Sequence, residues 1–126
     1  MLADAAAMES RLTDPTLKLR IVFGPTGMMG PGKAALLEGI ARTGSIAAAG
    51  RAMGMSYKRA WMLTETMNAM FHAPVVSSTR GGPGGGGAVL TDTGQEVLAQ
   101  YRALERATKV AGAEQIAALQ ALLAVQ

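Results

Sequence analysis

The sequence has no cysteine, one histidine, one tryptophan, two tyrosines and two phenylalanines among 126 residues. Without sulfur ligands, a disulfide scaffold and a thiolate metal site are excluded. The length suits one domain with a modest core and leaves no room for a two-domain dehydrogenase. His72 stands alone, without acidic partners nearby. Near a helix end it reads as a partner for terminal carbonyls rather than a metal ligand, so no metal or cofactor is expected. The apolar stretches are Ala-rich and broken by charge or Gly, and none reaches the roughly 18 residues needed to cross a bilayer. Met1 to Arg11 carries Asp4 and Glu9 and lacks the basic head of a signal peptide, so a cytoplasmic protein is expected. With so few aromatics, the core must come from Leu, Ile, Val, Met and Ala, which favours helices.

What is present divides the chain. Residues 1–16 read as an N-terminal tail that ends near Asp14-Pro15. Leu17 to Phe23 alternates apolar and basic residues up to Ile21, the pattern of a half-buried strand. Gly24, Pro25, Gly27 and Gly30 force a loop. A helix is expected over Lys33 to Thr43, with Leu36, Leu37, Ile40 and Ala41 on its apolar face, Pro31 early in it and Gly44 as its stop. Ser45 caps a short helix, Ile46 to Met53, which Gly54 ends as a left-handed residue. Ser56 caps another, Tyr57 to Phe71, with Ala60, Leu63, Thr64, Met67, Met70 and Phe71 in its stripe and a more apolar C-terminal half suited to a core. Val75 to Thr79 and Ala88 to Thr91 are strand candidates around a Gly-rich tip, Arg80 to Gly87. Thr93-Gly94-Gln95-Glu96 has capping-box spacing, and a long helix over Gln95 to Val125 follows, with Gly112 as a break point.

Two readings compete for this organisation. Gly27 to Ala34 has the Gly-x4-Gly-Lys frame of a nucleotide phosphate loop. The magnesium-ligand position is Ala34, Pro31 removes one donor N–H, and no later strand ends in a metal-holding Asp, so the frame reads as a tight strand-to-helix loop. The rival is a short helix, the junction Gly54-Met55-Ser56, a longer helix and a hairpin, which together resemble a winged helix-turn-helix. Charge supports it. Arg42 to Arg80 holds Arg42, Arg51, Lys58, Arg59 and Arg80 against the single acid Glu65, while the rest of the chain is slightly acidic.

A favourable helix dipole, hydroxyls and two cations meet where the second helix begins, at Ser56, Tyr57, Lys58 and Arg59. Arg59 is expected to read guanine and Lys58 to contact phosphate. Trp61 has three readings: core packing, support beneath the wing, or DNA contact. In the tip, the absence of side chains lets backbone N–H groups approach DNA, with Arg80 supplying charge at its base.

Gly44-Ser45-Ile46, Gly54 to Trp61, Met67-Asn68 and Gly81 to Thr91 resemble the N-terminal winged-helix domain of ModE-type molybdate-responsive transcriptional regulators, within the LysR-like helix-turn-helix group. The similarity covers about residues 17 to 110. It implies a mainly α fold with a small β component: a winged helix-turn-helix over 17–91 and a C-terminal dimerisation helix over 92–126. It also implies a non-enzymatic, homodimeric regulator that binds double-stranded DNA. The expected DNA-binding residues are Ser45, Ser56, Tyr57, Lys58, Arg59, Trp61, Arg80, Gly81, Gly82, Gly84 and Gly85. Such regulators continue into an oxyanion-binding module of paired small β-barrels, and no strand-rich segment follows Gln95 here. Molybdate sensing is therefore not carried over, and the small-molecule effector stays unassigned. The alternatives are a phosphate-loop nucleotide binder using Gly27 to Lys33 and an adaptor acting through its C-terminal helix.

Overall fold

In the computed structural model, which describes residues 15–79 and 87–124, the first paired strand is only Ile21–Val22 (β1). It lies antiparallel to Met28–Met29 (β2), with Ile21 opposite Met29 and Val22 opposite Met28. The expected strand from Leu17 is thus much shorter. The Leu19 carbonyl is taken by the Tyr101 hydroxyl, which donates to it at 2.6 Å, so this segment docks through a side chain instead of a ladder. Met28 and Met29, read as loop, pair because the turn at Gly24–Thr26 folds the chain back and the Phe23 N–H closes it on the Gly27 carbonyl at 2.8 Å.

Three helices follow: Pro31–Thr43 (α1), Ile46–Ala52 (α2) and Tyr57–Met70 (α3). α1 starts two residues earlier than expected because Pro31 takes a first-turn position, where its missing N–H costs nothing. Leu36, Leu37 and Ile40 are fully buried, but Ala41 is exposed and Ala34 takes its place in the core. Ser45 caps α2 by accepting from the Ala48 N–H at 3.0 Å, and Ser56 caps α3 by accepting from the Arg59 N–H at 3.2 Å. α2 and α3 approach closely at Gly50, where a Cβ would lie 2.7 Å from that of Ala60.

Val76–Thr79 (β3) and Gly87–Leu90 (β4) form an antiparallel hairpin, with Val76 opposite Leu90 and Thr79 opposite Gly87. Its tip, with Arg80, Gly81, Gly82, Gly84 and Gly85, lies outside the described residues, as does most of the expected tail. The next helix, Asp92–Ala111 (α4), is capped by Thr91 and not by the expected Thr93. Thr91 follows β4 directly with an extended backbone; its Oγ1 accepts from the Gly94 N–H at 3.0 Å and donates to the Pro74 carbonyl at 2.5 Å. One cap thereby ties the helix start to the hairpin. The helix breaks at Gly112, the expected break point, and Ala113–Ala121 (α5) forms a separate helix.

The protein is mainly α with a small β component, and both two-stranded sheets are antiparallel. α1 lies at the centre, packed against α2, α3, β4 and α4. Leu36, Leu37, Ile40, Met67 and Val75 make the core as the composition suggests, and one aromatic residue, Tyr101, joins them against expectation because its hydroxyl reaches the Leu19 carbonyl. Thr64, the buried polar residue there, donates to the Ala60 carbonyl at 2.8 Å, so its hydroxyl carries no desolvation deficit.

Candidate nucleic-acid interface

The interface is assembled from the α2–α3 turn, the outer face of α3 and the hairpin stem. Gly54, at φ +73°, makes the turn possible, because few side chains tolerate that backbone. The Gly54 and Met55 N–H groups donate to the Arg51 and Gly50 carbonyls, each at 3.0 Å. The start of α3 is therefore fixed relative to α2. Ser56 accepts one bond as the cap, and its hydroxyl proton remains available to an acceptor outside.

α3 divides around its axis and not along it, which corrects the expectation of a polar N-terminal half and an apolar C-terminal half. Ala60, Thr64 and Met67 form one buried line over its length. Lys58, Met62, Glu65 and Ala69 are all exposed on the opposite side. At about 100° per residue Lys58 stands in the middle of that outer face and Arg59 at its flank. Tyr57 is 57% exposed and Trp61 46%, so Trp61 is not a core residue. It lines a groove of about 280 Å³ between α3 and the hairpin stem, shared with Tyr57, Ser45, Ser78 and Thr79. Of its three readings this excludes core packing and leaves support beneath the wing and DNA contact.

The hairpin stem is held against α3 by Asn68. Its Oδ1 accepts from the Val75 and Val76 N–H groups at 2.8 and 3.0 Å. The Ala88 N–H donates to the Gly44 carbonyl at 2.9 Å, fixing β4 to the turn between α1 and α2. Asn68 appeared in the sequence only as part of a motif, and its tying role depends on strands that follow it. A signal did exist: a poor helix former sits inside the helical pattern shortly before a proline and a strand.

Among the described residues the ion pairs all involve Arg102, which meets Glu38 and Glu105 at 2.8 Å each and links α1 to α4. Those two carboxylates raise the guanidinium pKa above its ordinary range, with desolvation opposing. Arg42, Arg51, Lys58 and Arg59 are exposed and make no ion pair among the described residues. Their charge is left to solvent or to a partner. His72 is exposed and makes no hydrogen bond among the described residues, so the expected carbonyl contact is not formed. No cluster of three His, Cys, Asp or Glu side chains able to hold a metal occurs among them, and no helix there is long and apolar enough to cross a membrane.

The phosphate-loop frame serves packing. Gly27 has φ +150°, and a Cβ there would strike the Met70 side chain. Lys33 Nζ donates to the Met28 carbonyl at 2.7 Å, and the strand before the helix belongs to an antiparallel ribbon instead of a parallel βαβ sheet.

No protein-family model matches the chain. It is 50% identical over 86 residues to the molybdenum-pterin-binding protein MopB of Rhodobacter capsulatus, covering 68% of this chain and 32% of that protein. The chain is similar to Mop and ModE proteins. It is 49% identical over 70 residues to the molybdenum transport protein ModE of Azotobacter vinelandii, covering 56% and 26%. With the DNA-binding transcriptional dual regulator ModE of Escherichia coli (strain K12) it shares 42% over 71 residues, covering 56% and 27%. The chain thus spans about a third or less of the length of the curated relatives it matches.

Proposed function

We propose that this chain is a ModE-type winged helix-turn-helix module that binds double-stranded DNA sequence-specifically and regulates transcription as a homodimer. The observation that carries the reading is the set of cations around the start of α3 that make no ion pair among the described residues, held beside an anchored hairpin stem. Phosphates would replace the missing ion-pair partners and release counterions. α3 lies in the major groove by its outer face, and the hairpin runs along the adjacent backbone. The structure suggests exchanging the expected roles of two cations: Lys58, in mid-face, meets base edges, and Arg59, at the flank, meets a phosphate. Ser45, Ser56, Tyr57 and Trp61 border the groove or the turn and supply hydroxyls and an aromatic face. Arg80 and the tip glycines Gly81, Gly82, Gly84 and Gly85 complete the proposed contact set.

Dimerisation is assigned to α4 and α5. α5 buries no residue, and Val110, Leu119, Leu122 and Leu123 are 59 to 80% exposed. A second copy would cover them. The names of the relatives, a molybdenum-pterin-binding protein and a molybdenum transport protein, support a regulatory context in molybdenum handling; these residues are assigned no oxyanion site and no covalent chemistry. Competition between specific and random duplexes tests the DNA reading. Lys58→Ala should lose discrimination between them, and Arg59→Ala should weaken both alike. Binding by neither duplex at low salt would end it. Light scattering at micromolar concentration should give twice the chain mass; a monomer would remove the dimer assignment.

A further inference from the structure

We infer that Glu65 is a specificity-determining residue that accepts a hydrogen bond from the exocyclic amine of a cytosine in the major groove. The inference rests on the DNA-binding reading and deepens it. Glu65 is the single acid between Arg42 and Arg80 and lies on the outer face of α3. Its own helix offers it no cation at the spacings where one could pair: Trp61 and Met62 precede it, Asn68 and Ala69 follow it. Among the described residues its carboxylate makes no hydrogen bond or ion pair. An unpaired carboxylate on a phosphate-binding face opposes binding to every sequence unless a donor meets it.

In the major groove, guanine presents two acceptors and thymine one, so both repel a carboxylate. Adenine places an acceptor beside its amine, and cytosine presents a donor alone. Glu65 thus selects by repulsion as much as by attraction. It stands seven residues beyond Lys58 on the same outer line, about 10 Å along the helix, or roughly three base steps. Lys58 and Glu65 then read opposite features, an acceptor-rich base and a donor.

The test is selection of binding sites from a randomised duplex pool by the full chain and by its Glu65→Gln and Glu65→Ala variants. The wild type should enrich a cytosine at one position per half-site. Replacing it by thymine should weaken the wild type about 5- to 150-fold and Glu65→Ala less than 2-fold. Glu65→Gln should move the preference at that position to adenine, whose amine and ring nitrogen fit an amide. Both variants should bind random duplex more tightly than the wild type. An unchanged base profile in Glu65→Ala, or an equal loss on all sequences, would overturn the inference while leaving DNA binding intact. Absence of salt-dependent duplex binding by the wild type itself would overturn the DNA reading, and this inference with it.

Discussion

Arg102 and Arg59 show two uses of the same side chain. Arg102 sits between α1 and α4, half-buried, and is held by two carboxylates 2.8 Å away. Arg59 sits at the start of α3, exposed, with no carboxylate against it among the described residues. A cation that has its counter-charge within the fold contributes to the fold. One left without it is available to a polyanion. The near-neutral composition hides this difference: Glu38 and Glu105 meet Arg102, while Glu65 is the single acid between Arg42 and Arg80.

The largest effect that should break the contrast is removal of the outer cations. Lys58→Ala with Arg59→Ala should lower duplex affinity at least tenfold and leave thermal stability within about 0.5 kcal/mol, since neither side chain packs. Anisotropy titration and thermal melting check the two halves. If melting falls as far as affinity, the cations are structural and the contrast fails. Next in size is Gly50→Ala at the α2–α3 contact, expected to destabilise by about 1–3 kcal/mol because the added methyl meets Ala60. Denaturant melts measure it; a neutral outcome would show that the two helices can separate freely. Arg102→Ala should cost about 1 kcal/mol, two partly exposed pairs being modest, and leave duplex affinity unchanged.

The smallest effect concerns Tyr101. Burial raises its pKa above the usual 10, Glu105 adds to this, and Arg102 opposes it. The folded state therefore holds the proton more tightly than the unfolded chain. Stability from this group is intact below about pH 10 and falls as pH rises through the folded value. Tyr101→Phe should lose about 1 kcal/mol at neutral pH, from the bond to Leu19, and should also lose this alkaline limb. Melts between pH 8 and 11 compare the two; parallel curves would show that Tyr101 does not titrate with folding.

The same contrast explains what the sequence could disclose. Ser45, Ser56, Gly44 and Gly54 were legible because each cap acts within a few residues. Ala60, Thr64 and Met67 were legible as a stripe because helical periodicity is local too. Thr91 and Thr93 are both threonines with helical spacing after them, and the choice of Thr91 depended on the Pro74 carbonyl, two residues before β3. The pairing of Met28 and Met29 with β1 was hidden by flanking glycines that read as loop. Asn68 was not legible as a tie because it finds its partners only in the folded chain, and Glu65 was visible as a lone acid but finds no partner among the described residues. In α3 the buried line follows helical periodicity, while the polar residues Ser56 to Arg59 at its start mask a division that runs around the helix.

The slope of binding affinity against salt concentration, both on logarithmic scales, tests the distinction most directly. It should be measured on one duplex for the wild type, Arg59→Ala and Arg102→Ala. The account predicts a slope smaller in magnitude by about one for Arg59→Ala and unchanged for Arg102→Ala, since only the unpaired cation displaces a counterion from DNA. Equal slopes for all three proteins, or a reduced slope for Arg102→Ala alone, would contradict it.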